Sequence, residues 1–360
     1  MKKLLSPFRK NELELKNHVV MAPMTRSRAT NNLPNDLMAE YYGQRSGAGL
    51  IITEGTAPVP EALGYSRIPG IFSDQQVEAW KKITTQGHQD GSKMFLQLMH
   101  TGRIAHKDNL PDGIEPVGPS SIAADGEMFT DTAGPQSHTP PKALTKDGIR
   151  NVIIGFVKAA KNAMAAGFDG VEIHGANGYL LEQFLNPNVN TRTDEYGGSI
   201  EDRSRLITLV VQAISRAIGS KRVGIRFSPF STLGDLKPYD EEKVHQTYTH
   251  LAQNMEDEGI AYIHISANEK IPQQTFDAIR KSYSGIIIFC NGLTPKTAEQ
   301  KLGEDFADLT AFGRSFIANP DFIDRIKEDA PLNEVDFDTL YTAEAKGYTD
   351  YPTLTKVTAE

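Results

Sequence analysis

Three side chains with complementary chemistry stand in one short run: His174, Asn177 and Tyr179, within Gly170-Val171-Glu172-Ile173-His174-Gly175-Ala176-Asn177-Gly178-Tyr179. A histidine and an asparagine can both donate a hydrogen bond to one acceptor, and a phenol can give up a proton. Val171 and Ile173 are strand formers, with Glu172 and His174 on the opposite face. Gly175 and Gly178 then break the strand. Polar groups at the C-terminal tip of a strand are where a β/α barrel keeps its chemistry. Taken alone, His174 reads equally well as a core histidine satisfied by backbone, Asn177 as a turn residue and Tyr179 as packing.

Other residues could complete a site. Thr25 closes the run Ala22-Pro23-Met24-Thr25 and would serve equally as a turn or capping residue. Gln97 sits in Met94-Phe95-Leu96-Gln97-Leu98-Met99, where an amide needs a partner. Met99 shares its face by strand alternation. Arg226, in Gly224-Ile225-Arg226-Phe227, is a charge inside an apolar strand and must be paired. A buried carboxylate, Glu172 or Glu54, would satisfy it, and so would an anionic ligand. Gly292, and Gly313 with Arg314, follow the last two strand candidates, where barrels often hold phosphate. Glycines let backbone N–H groups approach an anion, and arginine adds a fork of donors. Singly, each glycine would also suit a plain turn.

Short apolar runs alternate with helical periodicity along the chain. The strand candidates are His18–Pro23, Leu50–Glu54, Met94–His100, Gly170–His174, Val223–Ser228, Tyr262–Ser266, Ile286–Cys290 and Leu309–Phe312. The helical patterns are Asp36–Ser46, Asp74–Gln89, Lys146–Ala166, Glu201–Ile218, Asp240–Glu258, Gln273–Tyr283, Pro295–Leu302 and Pro320–Lys327. This alternation predicts parallel strands with crossover helices, and eight units predict a closed TIM-type (β/α)8 barrel. Ser199 with Asp202, Thr294-Pro295 and Asn319-Pro320 read as helix starts. Two connections exceed plain turns: Thr101 to Leu144, and Asn177 to Gly198. Both follow strand ends, so both are expected to cap one mouth. The first reads as an inserted lid with a small hairpin, within one domain spanning residues 1–360.

Composition narrows the function. The chain has 360 residues, 39% hydrophobic, with a formal net charge of −8. That charge argues against nucleic acid or an anionic membrane as partner. Cys290 is the only cysteine, which excludes an intrachain disulfide and a multi-cysteine metal site. The basic start Met1-Lys2-Lys3 is followed by Pro7, Arg9 and Lys10 before any apolar run, so neither a signal peptide nor a membrane span is expected. The expectation is a cytoplasmic protein, monomeric or homodimeric. No G-x-G-x-x-G, Walker, G-x-S-x-G or H-E-x-x-H motif occurs.

His174-Gly175-Ala176-Asn177-Gly178-Tyr179-Leu180-Leu181-Glu182-Gln183-Phe184-Leu185, Asn190-Thr191-Arg192-Thr193-Asp194 and Tyr196-Gly197-Gly198-Ser199 resemble the old yellow enzyme family of FMN-dependent ene-reductases. The resemblance runs from Met21-Ala22-Pro23-Met24-Thr25-Arg26 to Gly347-Tyr348-Thr349-Asp350-Tyr351-Pro352. It implies non-covalent FMN, NADPH or NADH as reductant, and an electrophilic alkene as substrate: an enone, maleimide or nitroalkene, with nitrate esters as a further class. The positions matching His174 and Asn177 hold the activating oxygen, and the one matching Tyr179 donates the proton. Pro23, Met24, Thr25, Gly55, Gln97, Arg226, Gly292, Gly313 and Arg314 match cofactor positions, with Thr25 at the flavin ring. Met99 and Tyr341 match the substrate pocket, although the family often has tryptophan at the Met99 position.

Two rivals stand beside this reading. A metal-dependent barrel hydrolase would use carboxylates and histidines at several strand ends, but the first strand ends in Pro23-Met24-Thr25. A non-catalytic flavin sensor would keep Arg226, Gly313 and Arg314 without His174 and Tyr179, and both of these are present.

Overall fold

The eight apolar runs form the strands of one closed parallel barrel. The structure is a computed structural model that describes residues 2–354. Its strands are β1 (Val19–Met21), β2 (Leu50–Ile52), β3 (Lys93–Leu98), β4 (Gly170–Gly175), β5 (Val223–Phe227), β6 (Tyr262–Ser266), β7 (Ile286–Cys290) and β8 (Leu309–Phe312). They pair in chain order, and β8 closes onto β1. Nearly every strand residue is buried, as expected of strands covered on both faces. Val20, Leu50, Phe95, Tyr262, Ile286, Ile288 and Leu309 fill the interior. An N-terminal hairpin, Phe8–Lys10 with Leu13–Leu15, adds Phe8, Leu13 and Leu15 to the same cluster.

The outer layer contains α1 (Asp36–Gln44), α2 (Asp74–Gly87), α3 (Lys146–Ala165), α4 (Ile200–Ile218), α5 (Glu241–Glu258), α6 (Gln273–Ser282), α7 (Pro295–Leu302) and α8 (Phe322–Glu328). Their starts have local causes. The Ser199 hydroxyl accepts from the Asp202 amide at 3.1 Å, and Thr294 forms a capping box with Thr297. Leu206, Ile207, Val210, Val211 and Ile214 then turn one face of α4 onto the strands.

Asn319 does not start the last helix. It ends an additional helical turn, Arg314–Ala318, where its amide donates to Ser315 O at 2.8 Å. Its oxygen accepts from the Asn333 amide at 2.8 Å, so the side chain is already used by the returning C-terminal chain. α8 begins two residues beyond Pro320, after Asp321.

Both long connections carry structure. Residues 101–144 contain the hairpin Glu127–Thr130 with Gly134–Ser137 and a two-residue pairing of Val117–Gly118 with Lys142–Ala143. The stretch after Asn177 is not a plain loop, because Leu180–Leu185 forms a buried helix. Beyond it, Asn190 donates to Phe184 O and Tyr196 O, both at 2.7 Å. Arg192 pairs with Asp194 at 2.6 Å and donates to Pro119 O at 3.1 Å. The Asn-Thr-Arg-Thr-Asp run therefore ties the two connections together. Among the described residues, no helix is long and apolar enough to cross a membrane.

Candidate active site

Strand register brings the polar interior residues into one ring. Glu172 lies opposite Gln97, His174 opposite Arg226, Arg226 opposite His264, and Ser266 opposite Cys290. Above this ring opens a cavity of about 790 Å³. Pro23, Thr25, Gln97, Met99, His174, Asn177, Tyr179, Arg226 and Tyr341 all line it.

Met24, Gly55, Gly292, Gly313 and Arg314 are not among its lining residues. Met24 packs beside Gly313, where an added Cβ would lie 3.2 Å from its sulfur. At Gly55 a Cβ would meet the Met99 sulfur at 2.4 Å, so this glycine makes room for the cavity wall. Gly292 adopts φ +53° with open space around it, and the Arg314 guanidinium lies 5.8 Å from the Phe337 ring. Arg314 has no ion pair among the described residues.

The ring is electrostatically asymmetric. Glu172 accepts from the Gln97 amide at 2.8 Å and pairs with His264 at 2.9 Å, both side chains being fully buried. Burial opposes charge on each. The pairing nevertheless holds the Glu172 carboxyl below its ordinary value, assisted by Arg226, and raises the His264 imidazole. Arg226 therefore does not take Glu172 as its partner. Nor does it take Glu54, which accepts from the Arg26 amide and the Tyr42 hydroxyl. Arg226 reaches only Ser266 Oγ at 3.3 Å and Cys290 Sγ at 3.9 Å, and its Nε is unpartnered. A buried cation without a counter-ion fits an anionic group in the cavity.

At the strand tip, burial pushes the His174 imidazole well below its ordinary value, with Arg226 and His264 acting in the same direction. It is thus a neutral ring at physiological pH, with Nδ1 unpartnered. Asn177 has φ +58° and a buried amide oxygen without a partner. A non-glycine residue in this region is held there by its surroundings. Burial raises the Tyr179 phenol, while its 3.1 Å hydrogen bond to Tyr65 Oη partly offsets this. Its ring stands edge-on to His174 at 4.9 Å between centroids.

Tyr65, Arg67 and Phe337 also line the cavity, and no motif in the sequence marks them. Tyr65 lies in an irregular loop far from Tyr179 in the chain, with no periodicity to mark it. Arg67 pairs with Asp131 of the lid hairpin and donates to Tyr341 O at 2.8 Å, joining lid and C-terminal segment at the mouth. Tyr341 is 61% exposed, at the rim of the cavity. Tyr351 has a structural place, accepting from the Asp336 amide at 2.9 Å. Among the described residues, no cluster of three or more His, Cys, Asp or Glu side chains could hold a metal ion.

The architecture and the sequence match known proteins over almost their full length. Residues 3–333 match the model of the NADH:flavin oxidoreductase / NADH oxidase family. The chain is 41% identical to 12-oxophytodienoate reductase 1 of Oryza sativa subsp. japonica, covering 99% of this chain and 94% of that protein. Morphinone reductase in complex with tetrahydroNAD superposes with a TM-score of 0.93 at 40% identity, covering 98% of each chain. The old yellow enzyme homologue from Zymomonas mobilis gives 0.93 at 39% identity, covering 98% of this chain and 100% of that one. With a cavity whose unpartnered arginine suits an anionic cofactor, and these matches along the chain, the protein belongs to the old yellow enzyme family and is an FMN-dependent oxidoreductase.

Proposed function

We propose that this enzyme reduces the C=C bond of alkenes activated by a carbonyl or nitro group, such as enones, maleimides and nitroalkenes, with nitrate esters as a further class. NADH or NADPH is the reductant, in a ping-pong sequence through one cavity. The observation that carries this reading is the meeting of His174, Asn177, Tyr179 and Arg226 in that cavity, with a ring nitrogen of His174 and the Nε of Arg226 left unpartnered. FMN, when bound, supplies the two-electron carrier between nicotinamide and alkene.

The chain's own groups do the rest. Arg226 and Gln97 would hold the anionic, hydrogen-bonding edge of the cofactor, with Thr25 and Pro23 beside it and Met24 and Gly55 behind the cavity wall. Gly292, Gly313 and Arg314, at the loops after β7 and β8, would hold its phosphate. These contacts are non-covalent. The unit is one barrel with the lid at about 101–144, working as a monomer or homodimer. His174 and Asn177 donate to the substrate oxygen and stabilise the negative charge that grows on it as hydride reaches the β-carbon. A neutral imidazole suits this role, since it donates without releasing a full charge into the site. Tyr179 stays protonated at neutral pH and gives its proton to the α-carbon. Tyr65 shares a 3.1 Å hydrogen bond with that phenol and orients it.

Purified protein is expected to be yellow and to release FMN on acid denaturation. Replacing His174 and Asn177 by Ala should slow enone reduction by roughly 10²–10³ per lost donor and weaken phenol binding. Unchanged enone turnover and phenol affinity in the double variant would refute the oxygen-holding role.

A further inference from the structure

Behind the oxygen-holding pair lies a carboxyl that the reaction itself does not use. Glu182, on the buried helix Leu180–Leu185, is only 3% exposed and forms no ion pair among the described residues. Its Oε2 accepts from the Gly178 amide at 2.6 Å, and its Oε1 accepts from Ser228 Oγ at 2.6 Å and Tyr248 Oη at 2.7 Å. Ser228 Oγ in turn accepts from the Asn177 amide at 2.8 Å. Both amides of the Asn177–Gly178 turn are thus tied, directly or through one hydroxyl, to a single side chain.

That turn needs tying. Asn177 and Gly178 both have positive φ, +58° and +82°, and a Cβ at Gly178 would lie 2.2 Å from Leu233 O. We propose that Glu182 is a positioning residue whose ionised carboxylate fastens this turn and so sets how well Asn177 is presented to the substrate oxygen. The proposal rests on the oxygen-holding role of Asn177 given above.

The three donors around Glu182 suit an ionised carboxylate, which only accepts. A protonated carboxyl must itself donate, and its neighbours already point their hydrogens at it. Either Ser228 or Tyr248 must then reverse its hydrogen, which loosens the hold of the carboxyl on the turn. Burial raises this carboxyl to about 7, against which Ser228, Gly178 and Tyr248 pull downward, so the change falls near neutral pH. The charged and titratable neighbours are Tyr248 on α5, Tyr239 before it and Arg203 of α4, which donates to Leu185 O at 2.8 Å. Lys237, Glu241 and Lys270 border the 280 Å³ cavity behind Glu182.

The test uses FMN-loaded enzyme, reduced without oxygen and mixed with cyclohex-2-enone, which does not titrate. Flavin absorbance gives the enone concentration for half-maximal reoxidation across neutral pH. In the native protein this concentration should rise about 3–10-fold on the acid side, the worth of one hydrogen bond. Glu182→Gln should remove the step. Tyr248→Phe deletes one donor to the carboxylate and should move the step to higher pH, a shift that a merely structural role would not produce. If Glu182→Gln fails to load FMN, the Tyr248→Phe shift decides. A flat native profile, or a step that survives in Glu182→Gln, would overturn the proposal. Asn177→Ala serves as reference. If it leaves the half-saturating concentration unchanged, the reading of Asn177 falls and takes this one with it. A strong effect of Asn177→Ala beside inert Glu182 and Tyr248 variants defeats the positioning role alone.

Discussion

On the proposed mechanism, Tyr179 is the residue at which the two halves of the reaction can be separated. Its phenol lies at the cavity wall against His174 and Tyr65, and burial keeps it protonated. Tyr179→Phe preserves the ring and removes the proton. Flavin reduction by NAD(P)H should then proceed nearly as in the native enzyme, while reoxidation by an enone slows sharply and reoxidation by oxygen continues. Stopped-flow traces with equal losses in both halves would indicate a packing role instead. The glycines that break the strand between and beside them placed His174, Asn177 and Tyr179 at a strand tip, but only the family resemblance gave them roles. The partner of Arg226 was not. Glu172 and Glu54 were equally good candidates, and only the closed barrel reveals Glu172 paired with His264 across its interior and the arginine without a carboxylate. Tyr65 gave no signal either, since a long-range contact from an irregular loop has no local signature.

At the level of elements, β3 and the loop that follows it shape one wall of the cavity. Gln97 and Met99 face the cavity together, as alternation requires. Met99 packs with Ala57, Leu63 and Ile68, beside Tyr65 and Tyr179. Methionine adapts its shape, whereas tryptophan is larger and rigid. With the oxygen fixed, a bulky enone has two ways to lie in the cavity, and about 1.4 kcal/mol between them gives tenfold selectivity. Met99→Trp should therefore change the product enantiomer ratio of a substituted cyclic enone while sparing flavin reduction, as read by chiral chromatography. Identical ratios for several bulky enones would show that Met99 does not border the substrate. The barrel strands were readable because they are apolar on both faces and bounded by polar or glycine residues. A hairpin in the lid was expected from its prolines and apolar residues, but Met128 and Thr130 are the buried ones and Phe129 is exposed. Asn319-Pro320 misled because a local capping pattern cannot reveal that Asn319 is needed by Asn333.

The molecule as a whole is closed by the chain's two ends. Arg28 donates to the carbonyls of Thr339, Leu340 and Lys346, and Arg26 to that of Gly347 at 2.7 Å, while Tyr41 and Tyr348 stack at 4.0 Å. These bonds set Tyr341 at the rim, and no periodicity announces them. Beneath them, burial raises the Glu54 carboxyl from 4.5 to about 7, with the Arg26 amide pulling the other way. Between those values the folded protein binds more protons than the unfolded chain, so Glu54 makes stability fall as pH rises through that window. Glu54→Gln should flatten this part of the pH dependence of Tm, and an unchanged slope would show that the carboxyl does not titrate there. The central claim, that hydride from nicotinamide and a proton from Tyr179 reach different carbons of an activated alkene, has its most direct test in isotope placement. Cyclohex-2-enone would be reduced once with NADH deuterated at the transferred position in ordinary water, and once with ordinary NADH in D2O, with NMR of the product. Nicotinamide deuterium is expected on the carbon β to the carbonyl and solvent deuterium on the α-carbon. Nicotinamide deuterium at the α-carbon, or reduction of the carbonyl with the double bond intact, would contradict it.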